Sequence, residues 1–388
     1  MNWFINISGG AEAVFWVAVA VLSYVYAGYP ALLMGLSLFC RRPKKEPGYC
    51  PVLSVLIAAY NEEAHIGRKL AETLALDYPA DKLEIVVVSD GSTDRTDAIV
   101  RANQDPRVHF LRVPRQQGKT HAQNEGVKLC CGEVIVFSDA TAVYHSKALL
   151  HLACQYDDPL VGAVSGRYQY FDPKEESPTG LGSMAFWNYE NLIKKLQSRI
   201  HTLTGCSGCI YSVRKSVYTP LPEASCSDLV EPLCVVRQGY RVVFEDRALA
   251  YEETTKSAGE EFSMRVRVVT RGIRGVLSVG ELLRFWRHGW VSFQLISHKV
   301  LRWLVPMILI VLFLSNGLLV RQKGFRYLFV LQSLFYLVSL FSLRVPLHRI
   351  WKPLGIPLFF CTLNAAALFG MVKLFRGHKY VVWQTVRK

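Results

Sequence analysis

Charge is what this sequence lacks in four places. Residues 13–40, 303–320, 327–343 and 353–372 form blocks of 28, 18, 17 and 20 residues without one Asp, Glu, Lys, Arg or His. An uncharged stretch of about 18 or more can cross a ~30 Å hydrocarbon core, so an integral membrane protein with a polar middle is expected. No fixed-period repeat is visible, which excludes a solenoid. No G-x-G-x-x-G follows the first strand-like run, where Tyr60-Asn61-Glu62 stands instead, and this argues against a dinucleotide oxidoreductase. Cys206-x-x-Cys209 has no second pair to complete a zinc site. The ten cysteines scatter rather than forming a disulfide framework. Acidic residues are in deficit, 31 against 45 Lys+Arg, for a formal charge of +14. The positives gather beside the uncharged blocks, where lipid headgroups explain them better than nucleic acid does.

What is present fills in the rest. The chain has 388 residues, 51% of them apolar, which is too apolar for disorder and too long for one ordinary domain. The first block exceeds a signal-peptide core and lacks a basic leader and a cleavage site, so it reads as a retained anchor within residues 1–45. Arg41-Arg42-Pro43-Lys44-Lys45 follows it and only Glu12 precedes it, placing what comes next in the cytoplasm. Three further spans would then leave the basic tail (Lys373, Arg376, Lys379, Arg387, Lys388) outside. One C-terminal block is therefore expected to be re-entrant or interfacial. Aromatic and basic residues share 182–200 and 281–302, and both read as helices in the headgroup plane. The partition expected is an anchor (1–45), a cytoplasmic domain (46–280), an interfacial helix (281–302) and a C-terminal membrane region with the tail (303–388).

The polar middle alternates strand-like and helix-like stretches. Apolar runs at 52–59, 83–89, 108–113 and 134–138 read as strands, and 62–76 and 93–103 as helices between them. Such alternation implies βαβ units and a mostly parallel sheet. Ligands sit at the carboxyl ends of such strands, which directs attention to Tyr60, Glu62, Asp90 and Asp139.

The runs PVLSVLIAAYNE (51–62), VVVSDGSTD (86–94), Gly118-Lys119-x-x-Ala122-x-Asn124-x-Gly126 and Val136-Phe137-Ser138-Asp139 closely resemble family 2 glycosyltransferases. The likeness continues through Ser227-Asp228 and Arg265-x-Arg267 to Ser297–Trp303, as in the membrane-embedded branch with cellulose, chitin and hyaluronan synthases. The resemblance implies an α/β GT-A nucleotide-sugar-binding domain with transmembrane and interfacial helices. It implies that Tyr60, Glu62, Asp90 and Lys119 bind the donor nucleotide, and that Arg265 and Arg267 bind its diphosphate, for which a planar guanidinium fork is suited. Asp139 opens a D-x-D signature for Mg²⁺ or Mn²⁺, and here Thr141 replaces the second acid. Asp228 would be the general base, with Ser227 in place of the usual first acid. Met264 and Val268 stand where Gln and Trp are common, and that Trp stacks on the acceptor in processive synthases. Trp187, Gly205 and Ser207 fall in the acceptor region, where packing explains them equally well. Arg271 and Arg274 read as a basic strip facing anionic lipid.

The expected function is inverting, metal-dependent transfer of a sugar from a nucleotide diphosphate donor, of UDP type, to a lipid-linked or growing glycan. The expected site is the inner face of a bacterial membrane, in exopolysaccharide or glycolipid assembly. A processive synthase and a catalytically silent nucleotide-binding scaffold are the alternatives. Sugar identity and oligomeric state are not legible.

Overall fold

The computed structural model describes residues 2–40, 45–171, 180–253 and 257–382. Arg41, Arg42, Lys44, Arg387 and Lys388 of the two basic clusters lie outside them.

The middle of the chain is built on one eight-stranded sheet in the order β3-β2-β1-β4-β7-β6-β8-β5. The strands are β1 (Leu53–Ala59), β2 (Leu83–Ser89), β3 (Val108–Arg112), β4 (Val134–Asp139), β5 (Val143–Tyr144), β6 (Val161–Phe171), β7 (Ile210–Arg214) and β8 (Arg241–Glu253). β1 to β4 pair in parallel, as does β6 with β8, while β7 and β5 run antiparallel to their neighbours. All seven residues of β1 are buried. One face packs Leu53, Val55 and Ile57 on Ile66 and Leu70, and the other packs Leu56 and Ala58 on Ala122 and Val127. Cover on both faces is why these strands read as unbroken apolar runs rather than alternating ones. The four expected strands are β1 to β4. β5 to β8 carried no sequence expectation, because polar residues interrupt them.

The helix expected over 62–76 forms only over Ile66–Leu74. The preceding backbone is committed elsewhere: the N–H groups of Asn61, Glu62 and Glu63 donate to Ser92 Oγ (3.1 Å), Thr96 Oγ1 (2.8 Å) and Asp94 Oδ2 (3.0 Å). Asn61 itself takes φ 53°, a left-handed conformation that Asn tolerates better than most residues. The SDGSTD run is thus largely the scaffold of the Tyr-Asn-Glu loop.

Five helices place the site: α1 (Lys119–Leu129), α2 (Gly180–Ile200), α3 (Ser227–Arg237), α4 (Ala258–Ser278) and α5 (Gly355–Phe375). Among the described residues, four helices are long and apolar enough to cross a membrane: Gly9–Ser37, Trp290–Leu318, Lys323–Ser342 and Lys352–Phe375. The first has two differently packed ends. Ala11 and Phe15 meet Leu319 and Phe325, whereas Tyr29 and Leu33 meet Ile193 and Leu196 of α2. α2 is accordingly no headgroup helix. It is clamped between the first span and the sheet, where Asn191 Nδ2 donates to Tyr168 O at 2.8 Å. Segment 281–302 is divided at Gly289 (φ 43°), and its second half runs straight into the helix Trp290–Leu318.

α5 lies against α4, with Thr270 Oγ1 donating to Gly370 O at 3.0 Å. The segment after it returns to the sheet domain. Arg274 Nη2 donates to His378 O at 3.0 Å, and a Cβ at Gly118 would collide with the Val381 carbonyl. The chain therefore leaves α5 on the same side as the sheet domain.

Candidate active site

The carboxyl ends of β1 and β4, the start of α1 and one face of α4 enclose a cavity of about 340 Å³. Glu62, Lys119, Asp139, Thr141, Trp187, Asp228, Arg265 and Arg267 all line it. The residues singled out from sequence are thus brought together, with four exceptions: Tyr60, Asp90, Ser207 and Gly205. Tyr60 is not among the lining residues, though its neighbour Glu62 is. Asp90 is fully buried and accepts the backbone N–H groups of Gln117 (2.9 Å) and Gly118 (2.7 Å). It thereby clasps the loop that presents Lys119. Gly91 beside it takes φ 71°, and a Cβ there would lie 2.7 Å from Gln116 N, so only glycine lets the loop approach. Ser207 lines neither cavity; its hydroxyl accepts from Lys194 Nζ at 2.7 Å and donates to Gly166 O at 3.0 Å.

Lys119 pairs with Asp139 across the mouths of α1 and β4. Burial works against the Lys119 ammonium, but Asp139 holds its pKa above the ordinary lysine value. Burial also raises the Asp139 carboxyl, and Glu252 and Asp228 add to this against the pull of Lys119. Glu252, at the end of β8, carried no sequence signal. It accepts from Thr141 Oγ1 at 2.7 Å and from the Tyr168 hydroxyl. The missing second acid of D-x-D is thus met by a carboxylate from 111 residues away. Asp139, Thr141 and Glu252 give the oxygen donors that a hard divalent cation prefers.

Three buried donors have no partner among the described residues and belong to side chains lining this cavity: Trp187 Nε1, Arg265 Nη2 and Arg271 Nε. Buried N–H groups are rarely left without acceptors, so they mark room for an oxygen-rich ligand. Arg265 is braced by Glu261 (Nε to Oε1, 2.7 Å) and lies over the Phe186 ring, 4.8 Å from its centroid. Arg271 corrects the expectation of a lipid-facing strip: its guanidinium bonds Thr120 Oγ1 (3.1 Å) and the Ser225 carbonyl. Arg274 likewise faces the tail, through His378 O.

A second cavity, of about 410 Å³, is walled partly by the helices long and apolar enough to cross a membrane and shares Trp187, Cys226, Asp228, Arg265 and Val268 with the first. Asp228 stands in the first turn of α3 and lines both cavities. Its backbone oxygen accepts from Cys206 N at 2.7 Å. A Cβ at Gly208 would come within 2.8 Å of Asp228 Oδ2, so the TGCSGC turn must be glycine where it meets the carboxylate. Gly205 lines the second cavity, whose far wall is α5. One carboxylate at the junction of two pockets can accept a proton from a group arriving by one as it attacks a group held in the other.

Residues 54–219 match the model of glycosyl transferase family 2. An N-acetylglucosaminyltransferase of Mesorhizobium japonicum is 27% identical over 259 residues, covering 62% of this chain and 60% of its own length. A poly-beta-1,6-N-acetyl-D-glucosamine synthase of Staphylococcus epidermidis is 28% identical over 227 residues, covering 55% and 53%. The chain thus spans little more than half the length of these relatives. A mannosyltransferase of Pyrobaculum calidifontis, solved with GDP-Man and Mn²⁺, superposes with TM-score 0.69 at 21% identity over 94% of this chain and all of its own. That likeness establishes the GT-A fold.

Proposed function

We propose that this family 2 domain transfers a sugar from a nucleotide diphosphate donor, bound in the cavity of Lys119 and Arg265, to an acceptor entering from the membrane side. The observation that carries the reading is the meeting of two cavities at Asp228. The acceptor hydroxyl gives its proton to Asp228 as its oxygen bonds to the anomeric carbon. The bond from that carbon to the diphosphate breaks, and the nucleotide leaves with inversion. One base suffices for such a displacement; a retaining, glycosidase-like route wants two carboxylates around the sugar. Lys119, Arg265, Arg267 and Arg271 line the cavity where the leaving charge develops. A divalent cation, Mg²⁺ or Mn²⁺, held by Asp139 with Thr141 and Glu252 would neutralise the same diphosphate. The names of the two bacterial relatives favour an N-acetylhexosaminyl donor, and the family resemblance favours UDP.

Val268 is 43% exposed at the junction, where processive relatives are expected to stack a Trp on the acceptor. This supports a single or short-chain addition in glycolipid or exopolysaccharide assembly. The side on which α5 ends supports one membrane topology. With the anchor leading inward, Trp290–Leu318 outward and Lys323–Ser342 back, α5 begins and ends on the domain's face. Three helices then cross and α5 lies along the inner membrane surface, which returns the basic tail to the cytoplasm as the positive-inside rule prefers.

The test is nucleotide release by the detergent-solubilised protein over a panel of nucleotide sugars with Mg²⁺, Mn²⁺ or EDTA. Donor-selective release that EDTA abolishes is expected. Absence of release with every donor, even with native membrane lipids as acceptor, would leave only a nucleotide-binding scaffold.

A further inference from the structure

The membrane-side cavity holds more positive charge than its carboxylates balance. Lys194 of α2 is 3% exposed. Among the described residues its ammonium has one hydrogen-bond partner, the Ser207 hydroxyl at 2.7 Å, and no carboxylate within ion-pair distance. Burial lowers its pKa accordingly. Lys299 and Arg302 line the same cavity, and both draw on Glu190, Lys299 at 3.7 Å and Arg302 more closely. His298 Nε2 reaches the same Glu190 at 3.2 Å. Burial alone would raise the Glu190 pKa, but Arg302, His298 and Lys299 hold it well below the ordinary value, so it is a charged and fully engaged anion. Two cations, Lys299 and Arg302, thus share one carboxylate and Lys194 has none within ion-pair distance, and the other carboxylate lining the cavity is the base, Asp228. A buried cation without an anion is costly, so such a cluster implies an anionic occupant.

The backbone is shaped for the cluster. A π-turn at Tyr24–Gly28 in the first span meets another at Ile296–Val300, joined by Tyr24 and Ser297 hydroxyls 2.8 Å apart. Single π-turns in long helices occur mostly at functional sites, and this one contains His298 and Lys299. Another wall is apolar, with Ile356, Phe359, Phe360 and Leu363 of α5. The cavity therefore offers a base, cations and hydrocarbon together.

We infer that the acceptor is a lipid joined to its sugar by a phosphate. The sugar hydroxyl lies at Asp228, the phosphate among Lys194, Lys299 and Arg302, and the lipid along α5. This rests on the transfer reading above and refines its acceptor. The acceptor's own phosphate bonds stay intact: the new bond joins its hydroxyl oxygen to the donor's anomeric carbon, and the nucleotide diphosphate leaves. A neutral glycan chain would leave the cations unbalanced and the apolar wall unused.

The experiment compares three acceptors carrying the same sugar: a polyprenyl-phosphoryl glycoside, an alkyl glycoside of equal chain length, and the free oligosaccharide. Each is assayed for product and for nucleotide release with the wild type and with Lys194→Met. The inference expects kcat/KM at least tenfold higher for the phosphate-linked acceptor than for the alkyl glycoside. It expects Lys194→Met to bring the two within about threefold without lowering the thermal unfolding temperature, since an uncompensated buried cation is removed. Phe359→Ala should raise KM for both lipid acceptors and leave the free oligosaccharide unchanged. Equal use of the two lipids, a preference that survives Lys194→Met, or the free oligosaccharide as the best acceptor would each overturn the inference while leaving sugar transfer intact. No nucleotide release with any acceptor would overturn the transfer reading itself, and the inference with it.

Discussion

The two cavities that meet at Asp228 are built in opposite ways. The donor side is assembled at strand ends: Glu62, Asp139 and Lys119 each lie within a few residues of a buried strand or a clasped loop, and their partners are mostly polar. The acceptor side is assembled by helices far apart in sequence, α2, Trp290–Leu318 and α5, whose polar groups face inward from elements that are otherwise apolar. Short loops at strand ends fix charge with backbone precision, whereas helices can slide, and hydrocarbon tolerates variety. On the proposed reading, the first cavity is therefore suited to one nucleotide and the second to a class of amphiphile.

If this division holds, the largest effect should fall on the donor side. Asp139→Asn should lower the transfer rate roughly thousandfold, since metal-assisted neutralisation of the leaving group supplies several kcal/mol and each 1.36 is about tenfold. The measurement is kcat/KM for the donor at saturating Mn²⁺, with acceptor KM little changed. Glu252→Gln is expected to weaken Mn²⁺ binding by about 10–100-fold in the presence of nucleotide, the usual range for carboxylates that support a metal site. Electron paramagnetic resonance of free Mn²⁺ reads this without turnover. Unchanged Mn²⁺ affinity would remove Glu252 from the site.

Gly208→Ala probes the seam itself. Its Cβ, 2.8 Å from Asp228 Oδ2, would displace the carboxylate. A shift of about 1 Å costs up to about 10²-fold in kcat, with nucleotide affinity held. An equal loss in both would mean that the turn supports the donor cavity rather than the base. Glu231, one turn along α3, should leave activity nearly untouched and act on stability alone. Burial pushes its pKa from 4.5 up to about 8, although the Thr219 N–H and Arg237 pull the other way. The native state keeps a proton that the unfolded chain releases above about pH 4.5. Stability should therefore be full below that pH and decline as pH rises to about 8, by a few kcal/mol. Glu231→Gln should flatten the decline, read as unfolding temperature against pH.

The same contrast explains what was legible in the sequence. β1 to β4 announced themselves because burial on both faces makes a strand continuously apolar, and the polar residues after them mark the ligand edge. Asp228, Arg265 and Arg267 stood in runs that keep their spacing. Glu252 was invisible: it ends β8, whose charged and apolar residues follow no clean period, and its partner Thr141 is 111 residues away. Arg271 was assigned to lipid because helical spacing shows a charged stripe without showing which way it faces. Lys194 fell on the basic side of the helix expected over 182–200 in the headgroup plane, Glu190 carried no sequence expectation, and only packing between the first span and the sheet turns both inward. The direction of α5 needed the contacts of Thr270 and Arg274, which no hydropathy pattern contains.

The central claim is that Asp228 takes a proton and does not hold the donor. It is tested by measuring, on one preparation of Asp228→Asn, nucleotide diphosphate affinity with Mn²⁺ and the rate of sugar transfer. The account predicts affinity within about threefold of wild type, with transfer reduced by roughly 10²–10⁴-fold, the usual contribution of a positioned general base. Transfer that survives the substitution, or nucleotide affinity that falls in step with it, would contradict the account.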